Sequence, residues 1–152
     1  MDKQGDIITR GMGGEDADYS FKSMIKNYVR IATLNARSIL KVANPQHQKS
    51  YTKYLRSKQL DLDIICLQEV TPHQPTKETS CQLTSKQSKR LEMSYNNKDM
   101  IYTKHCAVIC LNQKYHLTSS GIAKDGRCIF STLIDTQNNN ICNLITWLPS
   151  RL

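Results

Sequence analysis

The clearest pattern in the chain is a short apolar run, Leu62 and then Ile64, Ile65, Cys66 and Leu67, bounded by Asp61 on one side and by Gln68, Glu69 and Pro72 on the other. A continuous run of this kind, rich in β-branched residues, predicts a strand buried on both faces. A second strand is predicted over Val29, Ile31, Thr33 and Leu34, ending at Asn35. Between the two, Asn44-Pro45 reads as a helix cap followed by proline in the first turn. Tyr51, Tyr54, Leu55 and Lys58 then recur at helical spacing. An amphipathic helix is therefore expected from Pro45 to Gln59, laying Leu55 and the tyrosines on a sheet. Strand, helix and strand in this order predict parallel neighbours joined by a right-handed crossover. That connectivity brings Asn35 and Glu69 to one edge.

Downstream, Thr71 to Ser88 is polar and reads as a loop at first, with a weakly patterned helix over Lys86 to Tyr95 and a turn at Asn96-Asn97-Lys98. Three strands are predicted at Met100–Leu111, Arg127–Asp135 and Asn140–Trp147. Turn signals at Lys124-Asp-Gly-Arg127 and Gln137-Asn-Asn-Asn140 make the last two an antiparallel hairpin. Residues 1–27 are rich in glycine and acid and read as a disordered lead-in, with a short helical turn at Phe21, Met24 and Ile25. Residues 28–152 form one domain, and no internal repeat is visible.

The chemistry sits where the strands stop. A carboxylate at the mouth of a buried strand is partly desolvated and needs a partner such as a cation. A capping or ion-paired role is the commoner fate of such an acid. Asn35 beside it changes the picture, because an amide and a carboxylate at one edge are hard oxygen donors suited to magnesium or manganese. His105, Cys106, Cys110 and His116 suggest zinc only superficially, since neighbouring residues of a strand face opposite ways.

Charge adds a partner. Net charge is +8, but residues 1–27 hold four Lys/Arg and five Asp/Glu, a net of −1, while residues 28–152 hold seventeen and eight, a net of +9. A basic folded part favours a polyanion through its field and through counterion release. The basic face of the first helix, with Lys49, Lys53 and Arg56, is either solvated or a phosphate contact. Mean hydropathy is −0.51, and no apolar run approaches a membrane span. No signal peptide opens the sequence. Five of the six cysteines lie in apolar, strand-like runs, where they behave as small hydrophobes. There is no CxxC, so a reducing, intracellular setting, nuclear or cytoplasmic and not secreted, is expected.

Two segments, Thr33-Leu-Asn-Ala-Arg-Ser38 and Leu62-Asp-Ile-Ile-Cys-Leu-Gln-Glu69, resemble the first two motifs of the endonuclease/exonuclease/phosphatase superfamily. They look most like the apurinic-endonuclease-like domain of LINE-type retrotransposon polyproteins. Three further stretches follow in the same order. Tyr102-Thr-Lys-His-Cys-Ala-Val-Ile-Cys-Leu111 is similar to the start of that domain's next strand, Asp125-Gly-Arg-Cys-Ile-Phe-Ser-Thr-Leu-Ile134 to its DGR strand, and Asn143-Leu-Ile-Thr-Trp147 to the strand that leads into a Tyr-x-Pro motif.

The resemblance implies an α/β (α+β) fold, the four-layer α/β/β/α sandwich of DNase I-like proteins. It implies a magnesium-dependent phosphodiesterase acting on DNA, with Glu69 holding the metal and Asn35 helping to hold phosphate and the metal shell. Arg37 stands where some members carry a second acid or amide. It cannot ligate a metal but can bind phosphate.

The family's later Asp-x-Asn, late Asp and Ser-Asp-His motifs have no counterpart, and Trp147 stands near the expected Tyr. The expectation is therefore a truncated, inactive domain, about half of the sandwich, one sheet plus helices, without the general base that supplies ~10²–10⁴ in rate. On that view the apolar faces of Ile64–Leu67 and Val108–Leu111 lie uncovered and invite association. A non-catalytic nucleic-acid-binding domain and a protein-interaction module are the competing readings.

Overall fold

The computed structural model of the chain describes residues 28–37, 40, 45–72, 80–96 and 99–149. The lead-in at 1–27, the cap at Asn44 and most of the loop after Pro72 lie outside them. Seven strands and two helices appear: β1 (Ile31–Asn35), α1 (Pro45–Leu55), β2 (Ile64–Gln68), α2 (Ser85–Tyr95), β3 (Met100–Tyr102), β4 (Cys106–Cys110), β5 (Tyr115–Ile122), β6 (Cys128–Asp135) and β7 (Asn140–Trp147). They make a mixed α/β fold with two sheets, a four-stranded one in the order β1-β2-β4-β3 and a three-stranded one in the order β5-β6-β7. Neither described helix is long and apolar enough to cross a membrane.

β1 and β2 are parallel, as the strand–helix–strand order requires, and Asn35 lies opposite Gln68. β2 runs antiparallel to β4, which in turn pairs with β3. The apolar run of β2 is buried along its length, and so is β4. Their pleats explain why. Ile65, Leu67, Ala107 and Ile109 face one core, shared with Leu55 of α1 and with Leu91 and Tyr95 of α2. Ile64, Cys66, Cys106, Val108 and Cys110 face the other, shared with Tyr115, Ile129 and Leu133 of the second sheet. Side chains alternate across a strand, so one strand feeds both cores.

This arrangement corrects the expectation of one sheet with uncovered faces. The second sheet is present, and it covers the inner faces of β2 and β4. The exposed large apolar side chains of that sheet are Ile122, Phe130, Ile141, Ile145 and Trp147. Phe130 lies opposite Ile145 in the β6–β7 ladder.

Three boundaries also differ from expectation. The single strand Met100–Leu111 is broken at Thr103–His105, because the Thr103 hydroxyl accepts the His105 and Cys106 backbone N–H groups, both at 3.0 Å. A side chain bonding its own following backbone closes a turn and ends the ladder. The first helix stops at Leu55 rather than Gln59, with the Ser57 N–H donating to the Tyr54 carbonyl at 3.0 Å in a tightened last turn. β5 was not expected at all. Its polar residues, Tyr115-His-Leu-Thr-Ser-Ser-Gly-Ile122, pair with β6 across a register shift between Ser119 and Gly121.

α2 begins with a reciprocal cap, in which Thr84 and Gln87 each accept the other's backbone N–H. It ends at Asn96 in the left-handed conformation. At the far end of the sheet from Glu69, the Asp63 carboxylate is 1% exposed. It accepts the Arg30 N–H and the Asn112 side-chain amide, each at 2.8 Å.

Candidate functional site

The C-terminal ends of β1 and β2 form the site. Asn35 closes β1 and lies opposite Gln68, the last residue of β2. Three bonds lock this end of the ladder. The Ala36 N–H donates to the Gln68 carbonyl at 2.7 Å, the Gln68 side-chain amide donates to the Thr33 hydroxyl at 3.0 Å, and the Arg37 N–H donates to Asn35 Oδ1 at 2.8 Å. Glu69 comes one residue later and is half-buried.

Two residues here adopt a backbone that L-amino acids avoid. Arg37 has φ 47° and Glu69 has φ 55°. Each costs roughly 1–2 kcal/mol in a residue with a Cβ. Such outliers cluster where the surrounding structure over-determines a functional geometry. The surrounding structure is visible on both sides. On one, the Leu40 N–H donates to the Val70 carbonyl at 3.2 Å, and Arg90 of α2 donates to the Leu40 carbonyl at 2.8 Å. On the other, the Val70 and Thr71 N–H groups donate to the carbonyls of His105 and Lys104, at 3.3 and 3.1 Å. Glu69 is thus held between the Ala36–Gln68 bond before it in the chain and the bonds of Val70 and Thr71 after it.

The turn Asp125-Gly126-Arg127 belongs to the same end of the sandwich. The Thr103 hydroxyl donates to the Gly126 carbonyl at 2.6 Å. A Cβ at Gly126 would sit 2.5 Å from the Cys81 Cβ, and its φ is 73°, so the position demands glycine. Asp125 accepts the Arg127 N–H at 3.0 Å, and the Arg127 guanidinium donates to the Pro149 carbonyl at 3.1 Å. The turn joins the second sheet to the loop beside Glu69.

Electrostatically the edge is mixed. Arg37 is exposed and lies near Tyr51 of α1, whose phenol is pushed up by burial and partly brought back by that guanidinium. Lys104 lies across from Thr71. Asn35, Arg37 and Glu69, singled out from sequence, are thus brought to one edge.

His105 stands out in the sequence only as part of the zinc-like set, not as a neighbour of Glu69. The break in the strand seats its backbone beside Val70, and its side chain is half-buried. No periodicity signals that break, since it depends on the Thr103 hydroxyl.

The zinc-like set is not assembled. Cys106 and Cys110 lie in the inter-sheet core, with thiols pushed up to about 12 by burial first of all. His116 is exposed on β5, its Nδ1 3.9 Å from an Asp99 carboxylate oxygen. All six cysteines are free.

Among the described residues no group of three or more His, Cys, Asp or Glu is gathered for a metal ion. Magnesium does not need one. It is commonly held through one or two carboxylates, waters and the substrate's own phosphate. A single Glu69 carboxylate beside the Asn35 amide fits that pattern.

No protein-family model matches the sequence, and neither does any curated protein.

Proposed function

We propose that the Asn35–Glu69 edge is a phosphodiester-binding site that takes a divalent cation, magnesium or manganese. In this reading the chain is a DNase I-like sandwich related to the endonucleases of LINE-type retrotransposons, and its partner is DNA. The observation that carries it is the pairing of Asn35 with Gln68, which sets an amide and the left-handed Glu69 side by side at one strand edge.

In this role Glu69 supplies the anionic ligand. The Asn35 side-chain N–H donates to a non-bridging phosphate oxygen, while its Oδ1 is held by the Arg37 N–H. The Arg37 guanidinium adds a second cation for the phosphate. A divalent cation held by Glu69 would supply neutralisation of charge on the phosphate and on the leaving oxygen. Holding the phosphodiester against fixed donors contributes through orientation. No described residue is assigned as general base, so binding without useful turnover is expected.

The test is a pair of measurements on the purified chain. Calorimetric titration with Mn²⁺ should show one site that is lost, or weakened at least tenfold, in Glu69→Gln. Duplex DNA containing an abasic position should not be nicked with magnesium, and nicking that disappears in Glu69→Ala would refute the inactivity. Metal affinity unchanged in Glu69→Gln would overturn the reading. A second reading, nucleic-acid binding without catalysis, is favoured by the net +9 of residues 28–152. It predicts salt-sensitive DNA binding that needs neither metal nor Glu69.

A further inference from the structure

The two sheets end differently on their two sides. On one side the edge strands are blunted, since β3 has three residues and β5 is interrupted by the register shift between Ser119 and Gly121. Short and bulged edges discourage further pairing. On the other side the edges are β1 and β7. β7 is eight residues long, Asn-Ile-Cys-Asn-Leu-Ile-Thr-Trp, and contains neither charge nor proline. β1, Ile31–Asn35, contains neither as well. The backbone of β7 is half used. The Leu148 N–H donates to the Arg127 carbonyl at 2.8 Å, just beyond the paired Trp147 and Cys128. Pairing alternates along an antiparallel ladder, so Cys142, Leu144 and Thr146 turn their backbone groups toward β6. Asn143, Ile145 and Trp147 turn theirs outward, where no described strand meets them.

The two open edges are not level. The backbone of β7 comes within 8 Å of β2 and of β4, whereas no strand of the second sheet comes that close to β1. β1 therefore overhangs β7 by about one strand, roughly 4.8 Å. The space beneath it is open. Ile31 and Thr33 lie level with Ile64 and Cys66, so they face the side of the second sheet, yet both are exposed, Ile31 at 42%. On β7, Cys142 and Leu144 point toward the inter-sheet core and are still half-exposed, while Ile129 and Leu133 of the adjoining β6 are fully buried. On the outer face of the same edge Ile145 and Trp147 are 68% and 61% exposed.

We propose that the edge of β7 beneath β1 receives one extended peptide segment of a partner protein, added to the second sheet as a fourth strand. Main-chain bonds to Asn143, Ile145 and Trp147 supply the affinity, and alternate side chains supply the selectivity. The inward side chains of the segment are apolar, because they lie on Ile31, Cys142 and Leu144 and an unpaired charge there would be desolvated. Charge is met only at the end of the slot, where the exposed Arg37 follows β1. An acid at the corresponding end of the segment complements it, in a part of the chain whose net charge is +9. A second copy of the chain does not fit. Its own β2 lies over its β7, so bringing that β7 to this edge drives its β2 into β1. The slot admits a single strand, and it does not rest on the Asn35–Glu69 edge binding metal.

The test uses the full chain and a capped peptide of alternating valine and threonine with an aspartate at each end. Trp147 is the one tryptophan of the chain, so its fluorescence reports the binding directly. The peptide should shift that emission with a stoichiometry of one. Hydrogen exchange at the Asn143, Ile145 and Trp147 amides should slow when it is added, while the Leu144 and Thr146 amides, already bonded to β6, should change little. Ile145→Pro removes one outward N–H at an edge position where proline is tolerated, and it should weaken binding at least tenfold. Ile145→Lys keeps every backbone group and adds an edge charge, so it gives the same answer if the proline variant does not fold. Ile31→Asp, in the overhang, should weaken binding severalfold, and Glu69→Ala should bind as the parent does. Absence of binding, unchanged exchange at the three outward amides, or unchanged affinity in Ile145→Lys would each overturn the proposal. So would outward amides already protected in the free chain, which would mean that the slot is filled from within or, if sedimentation gives a dimer, by a second copy.

Discussion

The Thr103 hydroxyl donates to the Gly126 carbonyl at 2.6 Å and accepts two backbone N–H groups from its own loop. One buried oxygen therefore closes the turn between β3 and β4 and ties it to the turn that begins β6. Thr103→Val keeps the shape and removes all three bonds. It should destabilise the protein by about 3 kcal/mol, given 1–3 kcal/mol for each buried group left unsatisfied and incomplete additivity. Urea unfolding followed by circular dichroism measures it, and a change below 1 kcal/mol would show that the two turns are not coupled through this hydroxyl.

Glu69 carries a second prediction. Its φ of 55° is strained for any residue with a Cβ. Glu69→Gly should relieve that strain and stabilise the chain by up to about 1 kcal/mol after the extra entropy of glycine in the unfolded chain is counted. Glu69→Ala keeps the strain and gains nothing. Both lose the carboxylate. Stability that rises in the Gly variant while Mn²⁺ affinity falls is the signature of a residue kept for function. Thermal melting beside calorimetry reads the two together.

The inter-sheet thiols set an alkaline limit. Burial raises Cys106 and Cys110 from an ordinary 9.0 to about 12. In the folded chain they hold their protons where the unfolded chain has lost them. Their contribution is therefore complete below about pH 9 and is lost as pH rises from there toward 12. Melting temperature should fall more steeply over that window in the parent than in Cys106→Ala/Cys110→Ala. In the native state at neutral pH, neither thiol should react with iodoacetamide on the timescale on which the unfolded chain is fully alkylated.

Asp135 sets an acid limit of a local kind. It accepts N–H groups from Gln137 and Asn139 and the Asn139 side-chain amide, and these bonds, that to Asn139 foremost, hold its carboxyl below the usual value. A lowered carboxyl contributes stability above its unfolded pKa of about 4 and loses it as pH falls through the folded value. Amide exchange at Asn139 should accelerate below pH 4 beyond the intrinsic trend. The same profile in Asp135→Asn would rule the carboxylate out as its cause.

Much of the first sheet was legible because its signals are local. The apolar run Ile64–Leu67, the proline at the start of α1 and the order strand–helix–strand fix a parallel pair and place Asn35 and Glu69 together. The hairpin of β6 and β7 was equally plain from Gln137-Asn-Asn-Asn140. What stayed hidden depends on partners distant in sequence. β5 is polar, and it is a strand because β6 offers it a ladder. The break at Thr103 needs the Gly126 carbonyl, more than twenty residues away. The left-handed backbones of Arg37 and Glu69 have no signature, since neither residue type favours them. Nor did the sequence show that Leu133 and Ile129 would arrive to cover Cys66 and Val108.

The alternation of β2 between two cores has a consequence for how the chain reaches its fold. The three-stranded sheet is a meander of consecutive hairpins, while β1 and β2 meet only after a helix has been threaded between them. Local contacts close faster than distant ones. The meander is therefore expected to form early and to serve as a template on which Ile64, Cys66 and Val108 settle. Yet on a ribosome β2 and β4 emerge before β5, β6 and β7. For that interval their inner faces have nothing to lie against. Pulse-labelled hydrogen exchange during refolding, with protection in β6 and β7 preceding that in β2, is the expected trace of this order.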